Sequence, residues 1–515
     1  MKKQLLVLGS LFALVSCASN SNSITSSILE VEDKGAHIEV TSNSNESLLI
    51  KPEDVVLTES LHSICSKRLF NTNVLPSTGD VNILAIPMLL PGYEKIDVNH
   101  DGVDDKNKIV EDLGKAFFAD ENDVFESVSS FYKKSSFNKL NIKGKVTKWF
   151  DVAVHTKYKN AAEIDVDQTY DVVASAVKWC SDELYIDLTK YDNDKDGYID
   201  GIWCIYSAPN YANGGPRTDY QNYWAYTAWG NQSGTPNLDK PVHNLFGWAS
   251  YDFMYEGYGV DKVDAHTFIH ETGHFLGLND YYSDDFTYNP IGKLDMMDMN
   301  VIDHNAYTKM LLGWSKPYIV KGNASIDIKS MKEEDSFVVV LSDNQTISNN
   351  EFDPFDEYML LEDFTTNGLN YHDIYESPYG ESFNVKEEGV KVYHIDNRKY
   401  VLDVSKEDLN LEEYDGQVIN TRNRLVTPIT NNRNFDTYNY YFNFDLTNNL
   451  YDEIRLIEQT NVNTFSYGGK LIDASLFREG DEFSLAKYGA KFFINEDKFD
   501  NGDTFSSTIK IGGIK

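Results

Sequence analysis

His266-Thr267-Phe268-Ile269-His270-Glu271-Thr272-Gly273-His274-Phe275-Leu276-Gly277-Leu278-Asn279-Asp280 is the stretch on which the reading of this chain turns. At 3.6 residues per turn, His270 and His274 fall on one face of a helix about 6 Å apart, close enough for two imidazoles to grip one cation. Glu271 stands beside them. A HExxH match alone also arises by chance, so the flanking residues decide its meaning.

A hydrolytic zinc site takes three protein ligands and leaves one position open for water. No glutamate occurs between Glu271 and Glu333, so a third ligand from a glutamate on the next helix has little support. Gly277 offers another route, because a glycine just past His274 can end the helix at positive φ and let the chain turn back. Asp280 then falls near the same cation and completes a His270, His274, Asp280 set. Downstream, Leu294-Asp295-Met296-Met297-Asp298 brings sulfur and apolar bulk into an acidic turn suited to a floor beneath the metal, with Met297 the candidate.

HExxHxxGxx followed by His or Asp, and then a methionine turn, resembles the metzincin pattern, and the aspartate form resembles the immune inhibitor A family of bacterial metallopeptidases. Further matches are the apolar run Val81-Asn82-Ile83-Leu84-Ala85-Ile86-Pro87, Ser127-Val128-Ser129-Ser130-Phe131-Tyr132 with Ser135-Ser136-Phe137, Ala306-Tyr307-Thr308-Lys309-Met310-Leu311-Leu312-Gly313-Trp314, and Gly389-Val390-Lys391-Val392-Tyr393-His394-Ile395-Asp396. The likeness is good over residues 79–396 and weak beyond. It implies a zinc endopeptidase with His270, His274 and Asp280 as ligands and Glu271 as general base. The chemistry agrees, since zinc acidifies water and polarises a scissile carbonyl while a neighbouring carboxylate takes the proton and returns it to the leaving amine.

His266 lies one turn further back on the same face, but three successive histidines span more than one cation can bridge, so it reads as a packing or supporting residue. His304 follows the methionine turn and is a candidate for stabilising the oxyanion.

Two acidic loops carry a different signal. Asp192-Asn193-Asp194-Lys195-Asp196-Gly197-Tyr198-Ile199-Asp200 sets oxygens at alternating positions around a glycine, the pattern by which a loop wraps Ca2+, with Asp192, Asp194, Asp196, the Tyr198 carbonyl and Asp200 as ligands. It departs from the EF-hand at the twelfth position, where Trp203 replaces Glu. The bland alternative is a solvated acidic turn. Asp97, Asn99, Asp101 and Asp105 form a looser version, for which the two readings are balanced.

The chain opens Met1-Lys2-Lys3, continues through an apolar run at residues 5–15, and reaches Leu14-Val15-Ser16-Cys17 before a Ser- and Asn-rich stretch. This is the order of a secretory signal, and the apolar run is shorter than the roughly 20 residues a spanning helix needs. Leu14-Val15-Ser16-Cys17 resembles the lipobox of bacterial lipoproteins. It implies lipidation of Cys17 and an exported protein held by a lipid anchor on the outer face of a bacterial cell membrane. Cys65, Cys180 and Cys204 are too few to staple 515 residues. Cys180 and Cys204 either pair or stay as buried thiols. With 46 Lys and Arg against 81 Asp and Glu, a formal charge of -35 leaves no basic field for nucleic acid.

The expected organisation is a lipoprotein signal over 1–17, a flexible tether and prosegment candidate over 18–78, an α+β metzincin-like zinc-peptidase catalytic domain over 79–315, and a β-rich region, read as a β-sandwich, over 316–515. Helical spacing marks residues 125–132 and 170–184; strand patterns mark 81–87, 140–149, 337–341, 358–361, 390–395 and 508–511. The aromatic stretch 429–449 reads either as packing residues or as a surface that contacts glycans. Besides hydrolysis of extracellular protein or peptide substrates, two readings stay open: a surface-anchored binding or adhesion lipoprotein on an inactive protease scaffold, and zinc-dependent hydrolysis of glycan or peptidoglycan amide bonds. Retention of Glu271, which a structural zinc site does not require, favours the enzyme.

Overall fold

The computed structural model describes residues 7–9, 35–42, 47–65, 73–219, 221–230, 235–282, 289–330, 337–342, 344–377, 385–397, 400–403, 424–427, 453–459, 469–478, 481, 483–485, 490–498 and 503–504. Cys17, residues 429–449 and the strand expected at 508–511 lie outside them.

The run from Val81 to Pro87 forms the middle of Gly79–Leu89, a strand buried on both faces as an uninterrupted apolar run in a mostly parallel sheet should be. It pairs in parallel with Leu140–Val146 on one side and with Ile202–Tyr206 on the other. Leu245–Ser250 follows in parallel, then Tyr226–Trp229 antiparallel, and Val7–Gly9 closes this end of the sheet antiparallel to Tyr226–Ala228. Val7–Gly9 falls in the segment read as a secretory signal; an unpaired strand edge accepts any extended segment that offers backbone donors and acceptors.

Successive residues of a strand point to opposite faces, so Ile83 and Ala85 enter one core while Leu84, Ile86 and Met88 enter another. The second core packs against the helix Val166–Asp182, where Asp165 and Gln168 form a capping box and Tyr170, Val173, Val177 and Cys180 line the buried side. The first core receives Lys106–Phe118, Val128–Ser135 and His266–Phe275. Trp203 is its hub. Its ring stacks on Phe275 at 5.3 Å and meets Phe268 edge-on at 5.4 Å, and its indole N–H donates to Thr272 at 3.3 Å. Trp203 therefore sits inside the sheet beneath the histidine-bearing helix, which explains why it replaces the acidic twelfth residue of the preceding loop.

The rest of the chain is β-rich. Ile454–Ile457, Gly389–Asp396, Glu357–Phe364, Phe337–Val340, Tyr318–Lys321 and Leu48–Ile50 form one sheet in that order. Ala324–Ile328, Gly35–Ser42, Ala490–Lys498 and Phe483–Leu485 form another. Ile38, Val40, Ile326 and Ile328 share a core with Val338, Val340, Met359, Leu361, Val390 and Val392 of the first sheet.

The described parts of 18–78 depart from the expected tether. Gly35–Ser42 pairs along its whole length with Ala490–Lys498, and Leu48–Ile50 adds to Tyr318–Lys321. Leu75 N–H donates to the Phe275 carbonyl at 2.7 Å, and the Asn73 carbonyl accepts from the Trp229 indole at 2.9 Å. Short alternating segments such as Ala36-His37-Ile38-Glu39-Val40 carry strand pattern, which the Ser- and Asn-rich flanks conceal. Cys65, Cys180 and Cys204 are all buried and none forms a disulfide, so of the two readings for Cys180 and Cys204 the thiol form holds. Among the described residues no helix is long and apolar enough to cross a membrane.

Candidate active site

His266–Phe275 turns its Phe268, Thr272 and Phe275 side toward Trp203 and so faces His270 and His274 away from the sheet. The helix then stops in a Schellman motif: Leu278 N–H donates to the Gly273 carbonyl at 3.2 Å and Gly277 N–H to that of His274 at 2.9 Å, with Gly277 at φ +92°. A Cβ on Gly277 would also lie 2.8 Å from Cys65 Sγ. The turn carries Asp280 back to the two histidines.

Asp280 Oδ1 lies 3.0 Å from His270 Nε2 and 3.4 Å from His274 Nε2. The other nitrogen of each ring is already committed, His270 Nδ1 to the Met296 carbonyl at 2.7 Å and His274 Nδ1 to that of Leu278 at 2.8 Å. These bonds fix both rings with Nε2 directed at the shared point. There, His270 Nε2, His274 Nε2 and Asp280 Oδ1 are all buried and none is in a hydrogen bond. Burial alone would raise the pKa of Asp280, yet His274 and His270 outweigh it and hold the carboxylate well below its usual range. Burial likewise opposes charge on His274, and Asp280 reverses this and lifts it to about 9. Three converging, otherwise unsatisfied donors that call for positive charge between them fit a metal ion.

Glu271 offers a carboxylate oxygen within 4.8 Å of the histidine ligand atoms. It is buried, which raises its pKa against the pull of His274 and His270. Thr227, on the strand Tyr226–Trp229, donates to the Glu271 carbonyl at 3.0 Å and approaches its carboxylate at 3.2 Å. No sequence signal marks Thr227, because the register of two distant elements creates the contact.

Met297 lies in the short turn Met296–Met299, whose cap Asp295 accepts from Met297 N–H at 2.8 Å. Its sulfur occupies the space left by the missing side chain of Gly273, where a Cβ would come within 2.4 Å of Sδ. The helix and the turn thus meet where a glycine on one faces a thioether on the other.

Residues 110–300 match the model of the immune inhibitor A peptidase M6 catalytic domain. Over this stretch the chain is similar to the immune inhibitor A peptidase M6 catalytic domain. It is a metallopeptidase, and the matched stretch contains His270, Glu271, His274, Asp280 and Met297. No curated protein matches the chain.

Around this centre, His266 is engaged elsewhere. Its Nδ1 is 2.6 Å from Asp264 and its Nε2 3.1 Å from Asp373, with the ring stacked on Phe125 at 4.3 Å. His304 is enclosed by Phe131, Tyr132 and Trp314; burial, reinforced by Lys309 and His270, pushes its pKa well below the usual histidine range and keeps it neutral.

The two acidic loops differ. Asp192, Asp194 and Asp200 each place an oxygen within 4.8 Å of the others. Asp200 is buried with Oδ1 unpartnered, and burial together with Asp194 raises its pKa to about 8. Asp196 stands outside this trio, accepting from Tyr198 N–H at 2.8 Å. In the looser loop, Asp97 accepts from Asp101 and Gly102 N–H, Asp105 from Val98 N–H, and Lys95 Nζ lies 3.9 Å from Asp97. Among the described residues Asp97, Asn99, Asp101 and Asp105 form no comparable cluster.

Proposed function

We propose that this M6 peptidase is a zinc-dependent endopeptidase acting on extracellular proteins, with His270, His274 and Asp280 holding the metal and Glu271 as general base. The observation that carries this reading is the convergence of His270 Nε2, His274 Nε2 and Asp280 Oδ1, each buried and without a hydrogen bond. Zinc held there would acidify water and polarise the scissile carbonyl. Glu271 receives the proton at its carboxylate, whose burial makes it a stronger base than an exposed glutamate, and returns it to the departing amine. Thr227 limits the rotation of that carboxylate during both transfers. An extended substrate would add along Tyr226–Trp229 through backbone hydrogen bonds, the edge on which Val7–Gly9 pairs; removal of the leader on export would free it.

Ca2+ is the cation proposed for the second cluster, because Asp192, Asp194 and Asp200 supply only oxygen donors. A chelator strong enough to strip both ions should abolish hydrolysis of a generic protein substrate. Zn2+ should restore activity, and Ca2+ but not Zn2+ should recover the lost thermal stability. Full activity in protein shown to be metal-free would defeat the zinc reading, and an unchanged melting temperature after Ca2+ addition would defeat the calcium one.

The proposed location is the outer face of a bacterial membrane, through lipidated Cys17. The Cys17→Ser protein should leave the membrane fraction for the soluble one; its continued sedimentation with membranes would contradict the anchor.

A further inference from the structure

We infer that Glu453, in the β-rich region beyond the matched catalytic stretch, is a positioning residue for the metal centre, an inference that rests on Asp280 being a ligand. Asp280 lies in a loop without regular secondary structure, and its Oδ1 has no hydrogen bond to aim it. Its direction is therefore set by its two neighbours in the chain. Tyr281 is held through its N–H, which donates to the Met297 carbonyl at 2.8 Å, and through its hydroxyl, 2.7 Å from Thr308 Oγ1. Asn279, on the other side, is held by Glu453: Asn279 Nδ2 donates to Glu453 Oε2 at 3.0 Å.

Glu453 is itself rigidly placed. Its second oxygen accepts from the Tyr307 hydroxyl at 2.9 Å, and Asn397 Nδ2 donates to that same hydroxyl. Its carbonyl accepts from Asp396 N–H at 3.1 Å, and the next residue begins Ile454–Ile457, paired with Gly389–Asp396. Glu453 is only 3% exposed and Asn279 9%, so water competes little for the bond between them. The same strand reaches the methionine-turn side of the site, where Leu456 N–H donates to the Pro290 carbonyl at 2.8 Å. The six-stranded sheet thus holds Asn279 beside Asp280 and also Pro290, and the β-rich region completes the metal site instead of serving as a detachable module.

The experiment compares Zn2+ affinity, by competition with a chromogenic chelator, and the visible spectrum of the Co2+-substituted protein, in full-length wild type, Asn279→Ala, Glu453→Gln, the double variant and Asp280→Ala. Asn279→Ala and Glu453→Gln should each weaken Zn2+ binding by about 10–100-fold and shift the Co2+ bands, as loss of an outer support to a ligand does. The double variant should be no weaker than the weaker single, because both cut one link. A merely structural role would lower the melting temperature and leave affinity and spectrum at wild-type values, and that result in Asn279→Ala would overturn the inference even if Glu453→Gln fails to fold. Wild-type affinity in Asp280→Ala would remove the ligand assignment and this inference together. Weak binding there beside full affinity in Asn279→Ala would remove the inference alone.

Discussion

Replacing Glu271 by Gln should lower kcat by about 10²–10⁴-fold while the protein keeps its metal and its fold. Gln has the shape of Glu and can still accept from Thr227, so the 3.2 Å contact and the packing of His266–Phe275 survive the change. What disappears is a carboxylate able to take a proton. Since Glu271 is not among the three residues whose buried atoms lack hydrogen bonds at the metal point, the metal content of the variant should equal that of wild type. The decisive measurement is kcat alongside metal stoichiometry. A Glu271→Gln enzyme that hydrolyses protein at the wild-type rate would remove Glu271 from the mechanism, and one that loses its metal would make it a ligand instead.

The second large effect is on stability. His266→Leu should cost about 3–5 kcal/mol near neutral pH, the penalty for leaving buried charge without its partner. Asp264 and Asp373 both face the imidazole, and all three side chains are at most 5% exposed. Burial by itself would depress the pKa of His266, but Asp373 and Asp264 outweigh it and raise it to about 10 from an ordinary 6.5. A folded-state pKa raised above the unfolded one gives stability that is complete below about pH 6.5 and is lost as pH climbs through 10. The gap between wild type and His266→Leu should therefore be widest near pH 6 and narrow steadily toward pH 10. Taking the difference cancels the titrating groups that do not touch His266. Denaturant unfolding of both proteins across that range checks it; a gap that widens with pH would show that the imidazole is neutral in the fold.

Asp373 connects this effect to the site. It also accepts from Ile302 N–H at 2.5 Å, at a β-branched residue with φ +56° just past the methionine turn. The start of the His270 helix and the exit of the turn are thus held by a carboxylate from Tyr371–Tyr375, outside the stretch that matches the family.

Much of the centre was legible in the residues because it is local. Histidines spaced by one helical turn, a glycine able to take φ +92°, and an aspartate just beyond it obey backbone geometry that neighbours in sequence settle among themselves. The apolar run in Gly79–Leu89 announced a strand buried on both faces for the same reason. Thr227, Asp373 and Glu453 could not be read this way. Each acts across 44 to 174 residues of chain, and their polar side chains look like any surface residue until the fold removes water from around them. The acidic loops divide in the same manner: in both, the leading aspartate accepts from backbone N–H groups of its own loop, but only the loop at Asp192 is folded so that buried Asp200 closes on it.

By itself, then, the sequence determined the helix with its two imidazoles, the turn that returns Asp280 and the carboxylate of Glu271, because spacing and φ preference act over a few bonds. Tertiary structure alone decided that Gly35–Ser42 and Leu48–Ile50 join the sheets instead of hanging free, and that a distant sheet steadies the ligand loop. Those outcomes depend on which surfaces exclude water together, a property of the whole packed chain that no single segment carries.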